Sequence, residues 1–153
     1  MTMIADRLRE LGLTLPNAAP PAANYVPFVE HGGLLHIAGQ IPFAEDGSLI
    51  RGKLGAELDV ERGQAVAERC ALGIVAQIAA AGALERVERV VKLGVFVASA
   101  PGFTDQPKVG NGASDLLVRV FGEAGRHARS AVGVAELPLG VPVEVDAIVA
   151  LRG

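Results

Sequence analysis

Arg129 and Glu144, fifteen residues apart, are the side chains of this sequence best suited to joint chemistry. Arg129 opens the stretch Arg129-Ser130-Ala131-Val132-Gly133-Val134, and Glu144 lies inside Val143-Glu144-Val145-Asp146-Ala147-Ile148-Val149. A guanidinium is a permanently charged planar fork of five donors that matches a carboxylate, and a Glu carboxylate can take a proton from water. Together they could bind a small anionic substrate and hydrolyse it. Each also has a plainer use. Arg129 can pair with Glu144 or Asp146 across strands, a contact of little energy when exposed, and a lone Glu alternating with valines ordinarily faces solvent.

The other reactive residue types form no comparable partnership. His31, His36 and His127 are scattered, without metal-ligand spacing or an adjacent nucleophile, and read as surface or packing residues. Lys53 stands among Gly52 and Gly55 but lacks the Ser/Thr and the strand-to-helix switch of a phosphate loop. Ser114-Asp115 fits a helix cap with an acid complementing the dipole. Cys70, the single cysteine, sits in a half-apolar helical stretch and reads as a small buried hydrophobe.

Composition narrows the partners. Lys plus Arg total 14 against 17 Asp plus Glu, a net charge of −3 with no basic run, which counts against nucleic acid. No apolar stretch approaches the ~20 residues of a membrane span, and no secretory leader is legible, so a soluble cytoplasmic protein is expected. A length of 153 residues with 50% hydrophobic residues suits one domain with one core, spanning 1–153.

The elements that must position Arg129 and Glu144 follow from periodicity. Thr2 caps a short amphipathic helix carrying Ile4, Leu8 and Leu11 and ending at Gly12; residues 13–23 are a Pro/Ala-rich extended lead-in. Asn24 to Val29 reads as an edge strand because of Pro27, and Gly32-Gly33 turns it into the strand Leu34–Ala38. Asp59 caps the longest helix, whose Val66, Cys70, Ile74 and Ile78 share one face and which stops at Gly82. Val90 to Val97, almost continuously apolar, is a central strand. Ser99 to Gly110 reads as a loop, followed by a helix from about Ala113 to Glu123 with Leu116, Leu117, Val120 and Phe121 inward. Two terminal strands flank the turn Leu137-Pro138-Leu139-Gly140. After the N-terminal helix the order is β-β-α-β-α-β-β. This predicts an α+β fold, a two-layer sandwich of a mixed sheet with two helices on one face. The uncovered face is where oligomerisation is expected.

Asn24-Tyr25, Gly39-Gln40-Ile41-Pro42, the Val90 to Val97 strand, Ala128-Arg129-Ser130, Leu137-Pro138 and Val143-Glu144-Val145-Asp146-Ala147 stand in an order and spacing that resembles the RidA (YjgF) family, also known as endoribonuclease L-PSP. The resemblance covers roughly residues 24–151 and points to a divergent branch. It implies a chorismate-mutase-like fold, a homotrimer with clefts between subunits, and hydrolysis of reactive enamines or imines such as 2-aminoacrylate to 2-keto acids and ammonia. It implies no cofactor and no metal. Carried over by position, Arg129 grips the substrate carboxylate and Glu144 activates water, while Tyr25, Ala38, Gly39, Asn111 and Ala131 line the cleft.

Ala38 stands where archetypal members have a Ser, and Ala131 where they have a Cys. Two polar contacts are thereby lost, each worth about 1.5–3 kcal/mol if made to an ionic group. Two other functions therefore stand beside the deaminase. One is a non-catalytic binding or sensor module for keto or amino acids; the other is a ribonuclease or translation inhibitor, which the acidic charge balance disfavours.

Overall fold

The computed structural model describes residues 3–153. Thr2, the expected helix cap, lies outside the described residues. The chain forms α1 (Ile4–Glu10), β1 (Phe28–His31), β2 (Leu34–Gln40), α2 (Val60–Ala80), β3 (Val87–Ala98), α3 (Gln106–Phe121), β4 (Ala128–Val134) and β5 (Val143–Leu151). The five strands make one sheet in the order β1-β2-β5-β3-β4. All pairs are antiparallel except β3 with β4, which run parallel because α3 crosses between them. The result is the expected mixed sheet with α2 and α3 on one face and a short N-terminal helix.

Why α2 covers the sheet is visible in its residues. The Asp59 side chain accepts from the Arg62 backbone N–H at 2.9 Å, tying down an otherwise orphaned donor. Val66, Cys70, Ile74 and Ile78 are all buried, facing a core that includes Leu35 and Ile37 of β2, Leu93, Val95 and Val97 of β3, and Val143, Val145, Ala147 and Val149 of β5. Gln77, the fully buried polar residue of α2, donates to the Ala19 carbonyl at 2.9 Å and to Gln40 Oε1 at 3.3 Å. The first bond straps the lead-in segment across the helix and the second ties the helix to the end of β2.

Two expectations are corrected. Regular pairing of β1 begins at Phe28 rather than Asn24, although Pro27 already accepts from the Ala38 N–H. The second helix begins at Gln106, not near Ala113, and ends at Phe121 before a short 3-10 turn, Gly122–Gly125. Ser114 is therefore in mid-helix and caps nothing. β4 and β5, although consecutive in sequence, are not neighbours, because β3 lies between them.

The face of the sheet away from the helices is uncovered in a single chain. Register places Phe96 between Glu144 and Val132, Gly94 between Asp146 and Ser130, and Lys92 between Ile148 and Ala128. Val132 is 45% exposed there, an apolar side chain on an unpartnered face.

Candidate functional site

Arg129 registers with Leu93, which is buried in the core, so its side chain emerges on the helix side of the sheet at the β4 edge. There α3 receives it. Nη1 donates to Asn111 Oδ1 at 3.0 Å and to Ser114 Oγ at 3.1 Å, and Nη2 donates to the Pro107 carbonyl at 3.0 Å. The guanidinium lies against Gly110, where a Cβ would stand 3.0 Å from Nη1. Three of the five donors are thus engaged, leaving Nε–H and one Nη2–H without a partner among the described residues. Arg129 makes no ion pair with Glu144 or Asp146, so the plain reading of a cross-strand pair falls. A guanidinium held in place with donors to spare is equipped to take a carboxylate.

Glu144 registers with Phe96, one position out of phase with the buried Val95 and Val97, and therefore lies on the uncovered face. Its carboxylate crosses the β2 bulge between Ile37 and Gln40, where a Cβ on Gly39 would overlap it. Partial burial raises the Glu144 carboxyl above its ordinary value, and the neighbouring Asp146 charge raises it further. Asp146 is itself raised by burial, although the Gly94 backbone and Lys92 oppose that shift. A carboxyl held above its ordinary value takes up a proton more readily than a free one, which suits it to exchanging protons with water.

On one chain, then, the predicted residues fall into two groups. Arg129, Asn111 and Ala131 lie on the helix side; Ala131 packs on the core two positions after Arg129. Glu144, Ala38 and Gly39 gather around the bulge on the other side. Tyr25, 47% exposed, precedes β1 at the sheet edge opposite β4, and its hydroxyl accepts from the Ala22 N–H at 3.3 Å.

Two side chains and a carbonyl escaped the sequence reading: Ser114, His127 and Pro107 O. Ser114 is three residues after Asn111 and thus on the same helical face, and His127 is two before Arg129 and thus on the same strand face; those spacings were the available signal. His127 is half-buried, with its Nε2 2.9 Å from Ser114 Oγ. Cys70 is fully buried and its thiol is pushed far up, chiefly by burial, so it is inert.

A hollow of about 780 Å³ lies between the lead-in segment and α2, with Phe43–Gly47 at its rim, and contains neither Arg129 nor Glu144. Arg69 in that hollow donates from Nε to the Phe43 carbonyl at 2.7 Å. Among the described residues no group of three or more His, Cys, Asp or Glu is placed to hold a metal ion. No described helix is long and apolar enough to cross a membrane.

A mixed sheet covered on one face by two helices, with an Arg at a strand edge and a Glu on the open face, defines a chorismate-mutase-like α+β protein. The chain belongs to the RidA/YjgF family: residues 5–148 match the family described as "YjgF/chorismate_mutase-like, putative endoribonuclease". It is 57% identical over 151 residues to the protein TCP17 of Trypanosoma cruzi, covering 97% of this chain and 94% of that one. The crystal structure of Atu1372, a protein of unknown function from Agrobacterium tumefaciens, superposes with a TM-score of 0.89 at 49% identity, covering 98% of this chain and 94% of the other. A 2-iminobutanoate/2-iminopropanoate deaminase from Dermatophagoides farinae is 27% identical over 141 residues, with 92% and 95% of the two chains covered.

Proposed function

We propose that this protein is a cytoplasmic hydrolytic deaminase that converts reactive enamines and imines of the 2-aminoacrylate type to 2-keto acids and ammonia. The observation that carries this reading is the Arg129 guanidinium, clamped by three bonds to α3 with two donors left over. A deaminase of 2-imino acids among the relatives supports the substrate class. Arg129 takes the substrate carboxylate bidentately. Because Glu144 leaves the opposite face of its own chain, the carboxylate that works with Arg129 comes from a second copy, whose open sheet face docks against the β4 edge in a trimer. Once the enamine has shifted a proton from nitrogen to C3 to give the imine, water adds to C2; Glu144 accepts one of its protons and returns it to nitrogen, and the proton of the new hydroxyl also passes to nitrogen as the C–N bond breaks, leaving the 2-keto acid and ammonia. A carboxyl with a raised value serves both steps. The reaction consumes one water and needs no redox partner.

The test is ammonia and keto-acid release from 2-aminoacrylate generated in situ, comparing the wild type with Arg129→Lys and Glu144→Gln. Glu144→Gln is expected to lower kcat/KM by about 100-fold or more, in the range of a lost general base. Arg129→Lys is expected to act mainly through substrate binding, because a point charge replaces a fork. Absence of any acceleration by the correctly assembled wild type would sink the deaminase. A second reading, a binding module without turnover, is favoured by Ala38 and Ala131, which offer a ligand no hydroxyl or thiol. It predicts carboxylate binding that Arg129→Lys weakens, with no ammonia.

A further inference from the structure

The hollow of about 780 Å³ between residues 12–20, α2 and residues 43–47 has the size of an ordinary small-molecule site. None of its lining residues lies on the open sheet face or at the β4 edge, so it is separate from the surfaces that carry Glu144 and Arg129. Arg69 is its cation. Nε donates to the Phe43 carbonyl at 2.7 Å, which fixes the plane of the guanidinium. The other four N–H groups, two on Nη1 and two on Nη2, have no partner among the described residues. Three carboxylates also line the hollow, and none pairs with Arg69. Glu68 is bound to Arg119, Asp46 accepts from the Ser48 N–H at 2.9 Å and its hydroxyl at 2.6 Å, and Glu45 is exposed at the rim.

The walls around that guanidinium are of two kinds. Leu72 is buried and Leu13, Leu15 and Phe43 are half-buried, which gives the hollow an apolar side. Along the lead-in, the backbone N–H groups of Thr14, Leu15, Asn17 and Ala18 make no bond to the described residues. Free donors and apolar side chains therefore share one concave space. A guanidinium held by Nε with both Nη groups open is the fork that takes a carboxylate through two parallel bonds.

We propose that this hollow is a second ligand site, for an amphipathic monocarboxylate. The carboxylate sits on the Nη1/Nη2 edge of Arg69, and an aryl or short alkyl body lies against Leu13, Leu15, Phe43 and Leu72. Charge sets the selectivity in two directions. A cationic head meets a guanidinium where the carboxylate belongs. A dianion such as a phosphate monoester is opposed by Glu45, Asp46 and Glu68, three carboxylates around a single cation. The site rests neither on Arg129 nor on turnover.

Phenylacetate is the probe, compared with acetate, phenethylamine and phenyl phosphate in amide correlation spectra of the full-length protein. Phenylacetate is expected to shift the amides of residues 13–19, 43–47 and 69–72 saturably with a Kd of about 1 mM, the scale for so small a ligand. Acetate lacks the apolar body and phenethylamine the anion, so each should bind at least about tenfold more weakly, and phenyl phosphate should also be weaker. Arg69→Lys keeps the charge and a donor for the Phe43 carbonyl but loses the fork, and should weaken phenylacetate about tenfold. Arg129→Lys should leave the shifts in the hollow unchanged. Shifts confined to residues 110–114 and lost with Arg129→Lys would put the carboxylate at the β4 edge alone and overturn the inference. Shifts in the hollow that Arg69→Lys does not weaken would overturn it too. If Arg69→Lys does not fold, the four probes decide on the wild type: acetate, phenethylamine or phenyl phosphate binding the hollow as tightly as phenylacetate overturns the assigned class.

Discussion

Three glycines sit under the three charged side chains of the site. Gly39 leaves room for Glu144, Gly94 for Asp146 and Gly110 for Arg129; at the first two, a Cβ would overlap the carboxylate. Each absent side chain lets a charged group lie along backbone rather than extend into solvent, and the half-burial that results is the main cause of the raised Glu144 and Asp146 values. The sign of the pH dependence follows. Glu144 accepts a proton only when ionised, so activity falls as pH drops through its raised value, above the ordinary 4.5 of a Glu carboxyl. Burial is the larger cause and the Asp146 charge the smaller. Asp146→Asn removes only the second, so the acid limb of the kcat/KM profile is expected to move to lower pH while the plateau persists. A limb that stays in place would show that the Asp146 charge does not act on Glu144.

α3 is the element that clamps the edge arginine, and it was the least legible helix in the sequence. Gly110 and Gly112 lie in its first half, and glycine weakens a helix by about 1 kcal/mol relative to alanine, so propensity placed these residues in a loop. Packing overrides propensity here. Gly112 lets α3 approach α2 so closely that a Cβ would overlap the Gln64 backbone carbonyl. Pro107 in the first turn was the one local signal of the true start. Gly112→Ala is therefore expected to destabilise the fold by about 1–3 kcal/mol, the cost of forcing atoms into a filled contact, despite its better helix propensity. Urea unfolding would read this, and a stabilised variant would mean the helices are free to separate. By contrast, β3 and α2 were legible because continuous apolar character and a four-residue stripe report burial directly. The period of two along β4 and β5 correctly separated Glu144 from Val143 and Val145. It could not say that Arg129 and Glu144 leave opposite faces, because that depends on how both strands register with β3 between them.

Opposite faces turn a question about two residues into one about the whole molecule. A single chain offers a guanidinium at its β4 edge and a proton acceptor on its open sheet face, and the two can meet only if another copy supplies one of them. The open face carries apolar side chains: Phe96, Ile148 and the 45%-exposed Val132 stand among the carboxylates. If each cleft takes Arg129 from one protomer and Glu144 from the next, two inactive variants should repair each other. Co-expressed Arg129→Lys and Glu144→Gln chains, assembling at random, place an intact Arg129 opposite an intact Glu144 in about a quarter of the clefts of a cyclic homo-oligomer. The mixed assembly is therefore expected to recover about a quarter of wild-type ammonia release from 2-aminoacrylate, where each variant alone has almost none. A site completed within one chain would recover nothing, because no single chain in the mixture carries both residues. Recovery should also vanish when Val132→Glu is added to both chains, since a buried unpaired charge at the open face opposes the docking that joins the two halves.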